Sequence, residues 1–242
     1  MRNFSLLLLL NCCAIFANSI QPDSLLSRAS VLVIPYMPDM HLSDADPDIA
    51  IGSEMEFPEM RSELRKGLVR ALNKNFQEIY DVPGLQKDFA NQSERDIEIL
   101  YHSLQYENDT VYTLKESKRF ALVDSLGKKL KPRKETTYIN IGIADEMLIP
   151  DYSKKYNADY FIFLNELDIK THYDDCLNLA LKIYRRDLKV HYSIFNKSGK
   201  QIYGDVAIAS FDTNTNDVKE INSKYFPVIA NYILTSFSKA TQ

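Results

Sequence analysis

The stretch "DYFIFLNELDIK", residues 159–170, decides the reading of this chain. From Tyr160 to Leu164 it is apolar at every position, which suits a β-strand buried on both faces. From Asn165 it alternates: Glu166, Leu167, Asp168, Ile169, Lys170. A strand that alternates buries one face only, so Glu166 and Asp168 are expected on an outward face, solvated or paired.

Working outward, "DEMLIPDYSKKYNA" (145–158) reads as a short helix leading into this strand, and "TTYINIGIA" (136–144) as a strand before it. Downstream, "DLKVHYSIF" (187–195) points Leu188, Val190, Tyr192 and Ile194 inward and Lys189, His191 and Ser193 outward. "NKSGK" (196–200) is a hairpin loop, its glycine supplying a positive φ. "QIYGDVAIASF" (201–211) returns with Ile202, Val206 and Ile208 assigned to one face. A C-terminal helix follows over about 217–239, with Pro227 expected to kink or restart it.

The amino-terminal half opens with "SVLVIPY" (30–36), a β-branched run of strand length. After an aspartate-rich loop, Phe57, Met60, Leu64, Leu68, Leu72, Phe76 and Ile79 recur at helical spacing, until "DVPG" (81–84) stops the pattern. A second helix fits 93–104; beyond it the chain turns polar and lysine-rich. The order is β-α-(excursion)-β-α-β-β-β-α. Strands joined through helices favour parallel pairing and the terminal hairpin adds antiparallel strands. The expected fold is α/β, a mixed sheet packed by helices. It forms a single domain over 20–242 with a polar excursion at about 81–135.

The first nineteen residues stand apart. One basic residue, Arg2, precedes an apolar run from Leu6 to Phe16, with Ala17 and Ser19 spaced as in a cleavage site. This reads as a secretory signal peptide, giving an exported protein, periplasmic or outer-membrane-associated in a bacterium. A lipid anchor at Cys12 or Cys13 is the alternative processing and the only membrane attachment expected. The mature chain keeps one cysteine, Cys176, and so forms no internal disulfide.

The 242 residues are 45% hydrophobic and 26% charged with a formal charge of −4, so no basic field is present for nucleic acid. Phosphate-loop, dinucleotide and serine-hydrolase motifs are absent. Asp44, Asp46 and Asp48 have the D-x-D-x-D spacing that opens a calcium loop, but Ile49 occupies the glycine position and Met55 that of the closing glutamate. They are candidates for a weak divalent site, with His41 nearby, against a solvated loop capping a helix start. No other cofactor is expected. Lys128, Lys129, Lys131, Arg133 and Lys134 form a basic run suited to an anionic surface or partner. His172 and Cys176 lie close in "THYDDC", with no nucleophile motif around them.

"VLVIPY" after the leader, the long first helix, "YNADYFIFLNELDI", the hairpin and the final helix together resemble exported bacterial α/β domains. These are the TolB amino-terminal, curli-channel and penicillin-binding-protein-activator group, and the chain is most similar to uncharacterised envelope proteins. The resemblance covers about two thirds of the mature chain, and Asn165 stands where a glycine is usual. It implies a non-enzymatic binding, assembly or adaptor role towards an envelope protein or cell-wall component, and no catalytic residues. The alternative is a divalent-metal-assisted hydrolase using the 39–48 aspartates.

Overall fold

The apolar-then-alternating strand is the centre of the molecule. In this computed structural model, which describes residues 28–83, 92–111, 122–123, 129–130 and 136–242, it forms β7, Tyr160–Asn178. Two short strands pair with it in parallel, β1 (Val31–Ile34) and β2 (His41–Ser43). On its other edge β8 (Ile183–Asn196) and β9 (Gln201–Asp212) continue the sheet antiparallel. The fold is α/β with a mixed sheet, as the sequence pattern implies.

Helices α1 (Asp46–Ser53), α2 (Phe57–Phe76), α5 (Val218–Lys224) and α6 (Phe226–Ala240) cover one face. Val31 and Val33 of β1, Ile162, Leu164, Leu167 and Ile169 of β7, and Leu188, Val190, Tyr192 and Ile194 of β8 meet them in the main core. Met60, Leu64, Leu68, Leu72 and Phe76 are fully buried. Phe57 and Ile79, the ends of the expected stripe, are about half exposed, because α2 stops at Phe76 and Phe57 opens its first turn. Pro227 acts as a restart: α5 and α6 meet at Tyr225, and the proline sits in the first turn of α6, where its missing N–H costs nothing.

The opposite face carries a second core, where Leu32, Ile34, Phe161, Phe163 and Phe195 pack against Leu100 of α3 (Gln92–His102) and Leu148, Ile149 and Tyr152 of α4 (Leu148–Tyr156). An antiparallel ribbon of β3 (Leu104–Thr110) and β6 (Thr137–Ile143) joins this layer. A separate short pair is made by β4 (Leu122–Val123) and β5 (Lys129–Leu130). Strand β3 lies inside the segment read as an excursion.

Four details differ from the sequence reading. The register of β7 shifts between Leu164 and Glu166, a bulge that moves Leu167 and Ile169 onto the main-core face. A second shift, between Ile194 and Phe195, moves Ile202 to the main-core side, away from Val206 and Ile208. His191 and Ser193 are buried rather than outward, because β6 lies over that part of β8. Gly204 makes this approach close: Tyr138 of β6 occupies the space a Cβ would need. Finally, β7 does not stop near Lys170; it runs on to Asn178 and turns into β8.

Candidate functional site

The segment after β1 is not a solvated loop. It folds into a short turn of 3-10 helix at Pro38–Met40, then β2, then α1. Each candidate aspartate there has its own partner on a different element. Asp44 accepts from the Thr171 backbone N–H (2.9 and 3.1 Å) and from its hydroxyl (3.0 Å) on β7. Asp46 is buried and accepts from His41 Nε2 (3.0 Å) and from Arg61 Nε of α2 (2.6 Å). Asp48 pairs with an Arg186 guanidinium nitrogen of β8 at 2.5 Å. The three carboxylates therefore face three directions. Among the described residues no group of three or more His, Cys, Asp or Glu side chains is placed to share a metal ion.

Asp46 ends a relay of buried groups. An ionised carboxylate only accepts, so His41 donates from Nε2, and its Nδ1 shares a hydrogen bond with the Tyr36 hydroxyl at 3.3 Å. Burial opposes charge on Asp46. The His41 hydrogen bond and charge, together with the Arg61 bond, outweigh it and hold the carboxyl below its usual range. Tyr36 is the reverse case: burial pushes its phenol well above the ordinary value, so it stays a hydrogen-bond donor and is no nucleophile. The Tyr36 carbonyl accepts from Arg65 Nε (2.7 Å) and from the Tyr101 hydroxyl (3.1 Å), which ties α2 and α3 to the end of β1. In this relay both nitrogens of His41 and both oxygens of Asp46 are occupied. What it does chemically is fasten the chain that leaves β1.

A second polar seam lies between β8 and β6. Asn165, at the bulge, donates to the Ile139 carbonyl (2.7 Å) and to Ser193 Oγ (2.8 Å). Ser193 donates on to Asn140 (2.7 Å), and the Ile139 N–H donates to His191 Nδ1 (2.9 Å). Asn165 thus uses an amide where a glycine would offer nothing to β6. Glu166 sits in this seam, 3.7 Å from His191 Nε2. Burial pushes its carboxyl up to about 7; Asp168 adds to the rise and Lys189 opposes it. Asp168 pairs with Lys189 at 3.8 Å.

Further along the same face, fully buried Asp187 accepts from Arg185 Nε (2.9 Å) and from Ser210 (2.5 Å), with His172 Nε2 at 3.0 Å. His172 therefore engages Asp187 rather than Cys176, which is exposed and donates to the Ile183 carbonyl (3.7 Å). On the other face Arg186 distributes its nitrogens among Thr171 (3.1 Å), Asn216 (2.6 Å) and Asp48.

These arginines went unassigned in the sequence reading, and Glu166, expected on an outward face, is buried in the seam under β6. The run "YRRDLKV" carried a usable signal, since three adjacent charges inside a strand require polar company on both faces. Of the basic run, Lys128, Lys131, Arg133 and Lys134 lie outside the described residues, and Lys129 is placed only as backbone in β5. The leader, with Cys12 and Cys13, also lies outside them. Among the described residues no helix is long and apolar enough to cross a membrane.

The surface offers a different kind of site. Beyond Arg185, the last β8 residue paired with β9, the β7–β8 ribbon projects to a turn at 179–182. Leu179 is 82% and Leu181 67% exposed there, with exposed Tyr173 stacked edge-on against Tyr184 at the base. Compared with models of protein families and with curated protein sequences, the chain matches none.

Proposed function

We propose that this protein is an exported, non-enzymatic binding or adaptor module of a bacterial envelope, engaging a protein or cell-wall partner. The observation that carries the reading is the apolar tip of the β7–β8 ribbon. Leu179 and Leu181, held in water on either side of Ala180 at the end of a projecting element, add nothing to the core, and exposed apolar surface marks interaction sites. The partners of Asp44, Asp46 and Asp48 support the same reading, since the acids with the most suggestive spacing are engaged in fastening the fold. The hydrolase alternative requires Asp44, Asp46 and Asp48 to leave these partners; calorimetry with magnesium, calcium or zinc tests it, and an absence of heat removes it. Export rests on the leader sequence. Mass spectrometry of the mature amino terminus distinguishes a free protein starting at Ile20 from an anchor at Cys12 or Cys13.

The direct test is a photo-crosslinking amino acid at Leu181 in the cells that make the protein. A discrete adduct is expected that disappears when Leu179→Ser is added, with none from the same label at exposed Lys219 on α5. Equal adducts from both positions would refute a dedicated tip.

A further inference from the structure

A groove of about 410 Å³ runs along the junction of α1 and α2, on a surface separate from the ribbon tip. Its floor is apolar: Ala50, Ile51, Met55 and Phe57. Ile51 is 78% exposed, Phe57 is about half exposed, and Met55 packs inward on the main core. Its rim is acidic, with Glu54, Glu56 and Glu59, and no lysine or arginine lines it.

Elsewhere the acids of this region are paired. Asp44, Asp46 and Asp48 are engaged as described, and Glu63 of α2 binds Lys66 and Arg70. None of the three rim glutamates makes a hydrogen bond or ion pair among the described residues. Glu59 sits in the first turn of α2, where the helix dipole favours it. Glu54 and Glu56 have less local reason. Glu56 is the N-cap residue of α2 yet its side chain makes no capping bond. Glu54 closes α1 with φ 55°, the left-handed conformation that favours glycine, so a glutamate is kept where the backbone prefers another residue.

The groove is also pre-formed. Ser53 Oγ donates to the Asn216 carbonyl (3.3 Å) and accepts from the Val218 N–H (2.9 Å), fastening the end of α1 to the start of α5. Gly52 lies so close that a Cβ would come 2.5 Å from the Asn216 oxygen. Rigid walls reduce the ordering cost of binding.

From this charge complementarity we infer that the groove binds a cationic amphipathic peptide segment of a partner protein. An apolar side chain would lie over Ile51 and Phe57, with lysine or arginine at Glu54, Glu56 and Glu59. The inference rests on the reading of the protein as a binding module but uses a different surface.

The test is fluorescence anisotropy of the full mature chain with a labelled amphipathic peptide of lysine and leucine. Two matched controls replace every lysine by glutamate or every leucine by serine. The lysine–leucine peptide is expected to bind roughly tenfold tighter than either control and to weaken with salt. Ile51→Ser should weaken it roughly tenfold, as should the triple change Glu54→Gln, Glu56→Gln, Glu59→Gln. The same charge change at exposed Glu78, Glu98 and Glu107 should leave it within about twofold, as should Leu179→Ser with Leu181→Ser. Because Ile51 is exposed, its variant should keep the wild-type circular dichroism melt. Equal binding of the glutamate or serine peptide would overturn the proposal, as would wild-type binding by Ile51→Ser. Self-association in light scattering that Ile51→Ser abolishes would assign the groove to a second copy and overturn it too. Loss of the tip adduct alone would refute the proposed function and leave the groove standing.

Discussion

Replacing Glu166 by glutamine should stabilise the protein above neutral pH and change little in acid. In the folded chain this carboxyl keeps its proton up to about pH 7, whereas the ordinary value is 4.5. Between those values the native state binds more protons than the unfolded state, so unfolding free energy falls as pH rises. The raised carboxyl thus costs stability that is absent below about pH 4.5 and fully present above about pH 7.5. A gap of 2.5 units, 7 minus 4.5, corresponds to about 3 kcal/mol. The side chain is 10% exposed, so residual solvent reduces this to about 2 kcal/mol. Glutamine keeps the shape, and its amide can donate as the protonated acid would. Urea unfolding of both proteins at about pH 4.5, 6, 7 and 8 should give a difference rising from near zero to about 2 kcal/mol, with unchanged m values. A difference that is flat with pH, or a variant less stable at about pH 8 than the wild type, would show that Glu166 is charged and well paired, refuting the argument.

Asp46→Asn should cost about 2 kcal/mol near neutrality, because His41 and Arg61 lose a charged acceptor. Its folded pKa is depressed, so the contribution is present above the unfolded value and lost as pH falls through the folded one; wild type and variant should converge in acid melts. Arg186→Lys should cost about 3 kcal/mol by denaturant unfolding, since one ammonium cannot reach Thr171, Asn216 and Asp48 from three separate nitrogens. Glu54→Gly should raise the melting temperature by about 2 °C by relieving a positive φ while weakening the lysine–leucine peptide, a pairing that separates stability from recognition. Leu68→Ala, at a fully buried position of α2, should cost about 3 kcal/mol and leave both binding surfaces intact.

Periodicity made most of the fold legible. The five apolar positions from Met60 to Phe76 predicted the buried face of α2, and the all-apolar half of β7 predicted a strand covered on both sides. What periodicity misses is what covers a polar face. His191 and Ser193 look outward by alternation, yet β6 crosses them; Asn140 and Asn165 beside Ser193, and the Ile139 N–H beside His191, make that burial tolerable. The length of β7 was hidden for the same reason. From Thr171 to Asp175 the strand carries polar side chains, of which Thr171, His172 and Asp175 find Arg186, Asp187 and Arg185 on the facing strand β8. Spacing along the chain also says nothing of what meets the aspartates in the fold: each carboxylate has a donor more than ten residues away, or a histidine five residues back.

The distribution of charge then bears on where recognition can occur. A buried carboxylate must be paired or neutral, and the chain uses both solutions: Asp46 and Asp187 are paired, and Glu166 retains its proton. Acids so engaged cannot be offered to a partner without unfolding the segment that holds them. The two surfaces proposed for an encounter, the ribbon tip and the α1–α2 groove, instead present exposed side chains, Leu179 and Leu181 in one and Ile51 and Phe57 in the other. Both present apolar side chains on backbone that is tied down at its base, by the β7–β8 ladder in one case and by Ser53 and Asn216 in the other. Polar replacements of those exposed apolar side chains should therefore change binding at constant stability, whereas mutations in the relay should change stability first and binding only as its consequence.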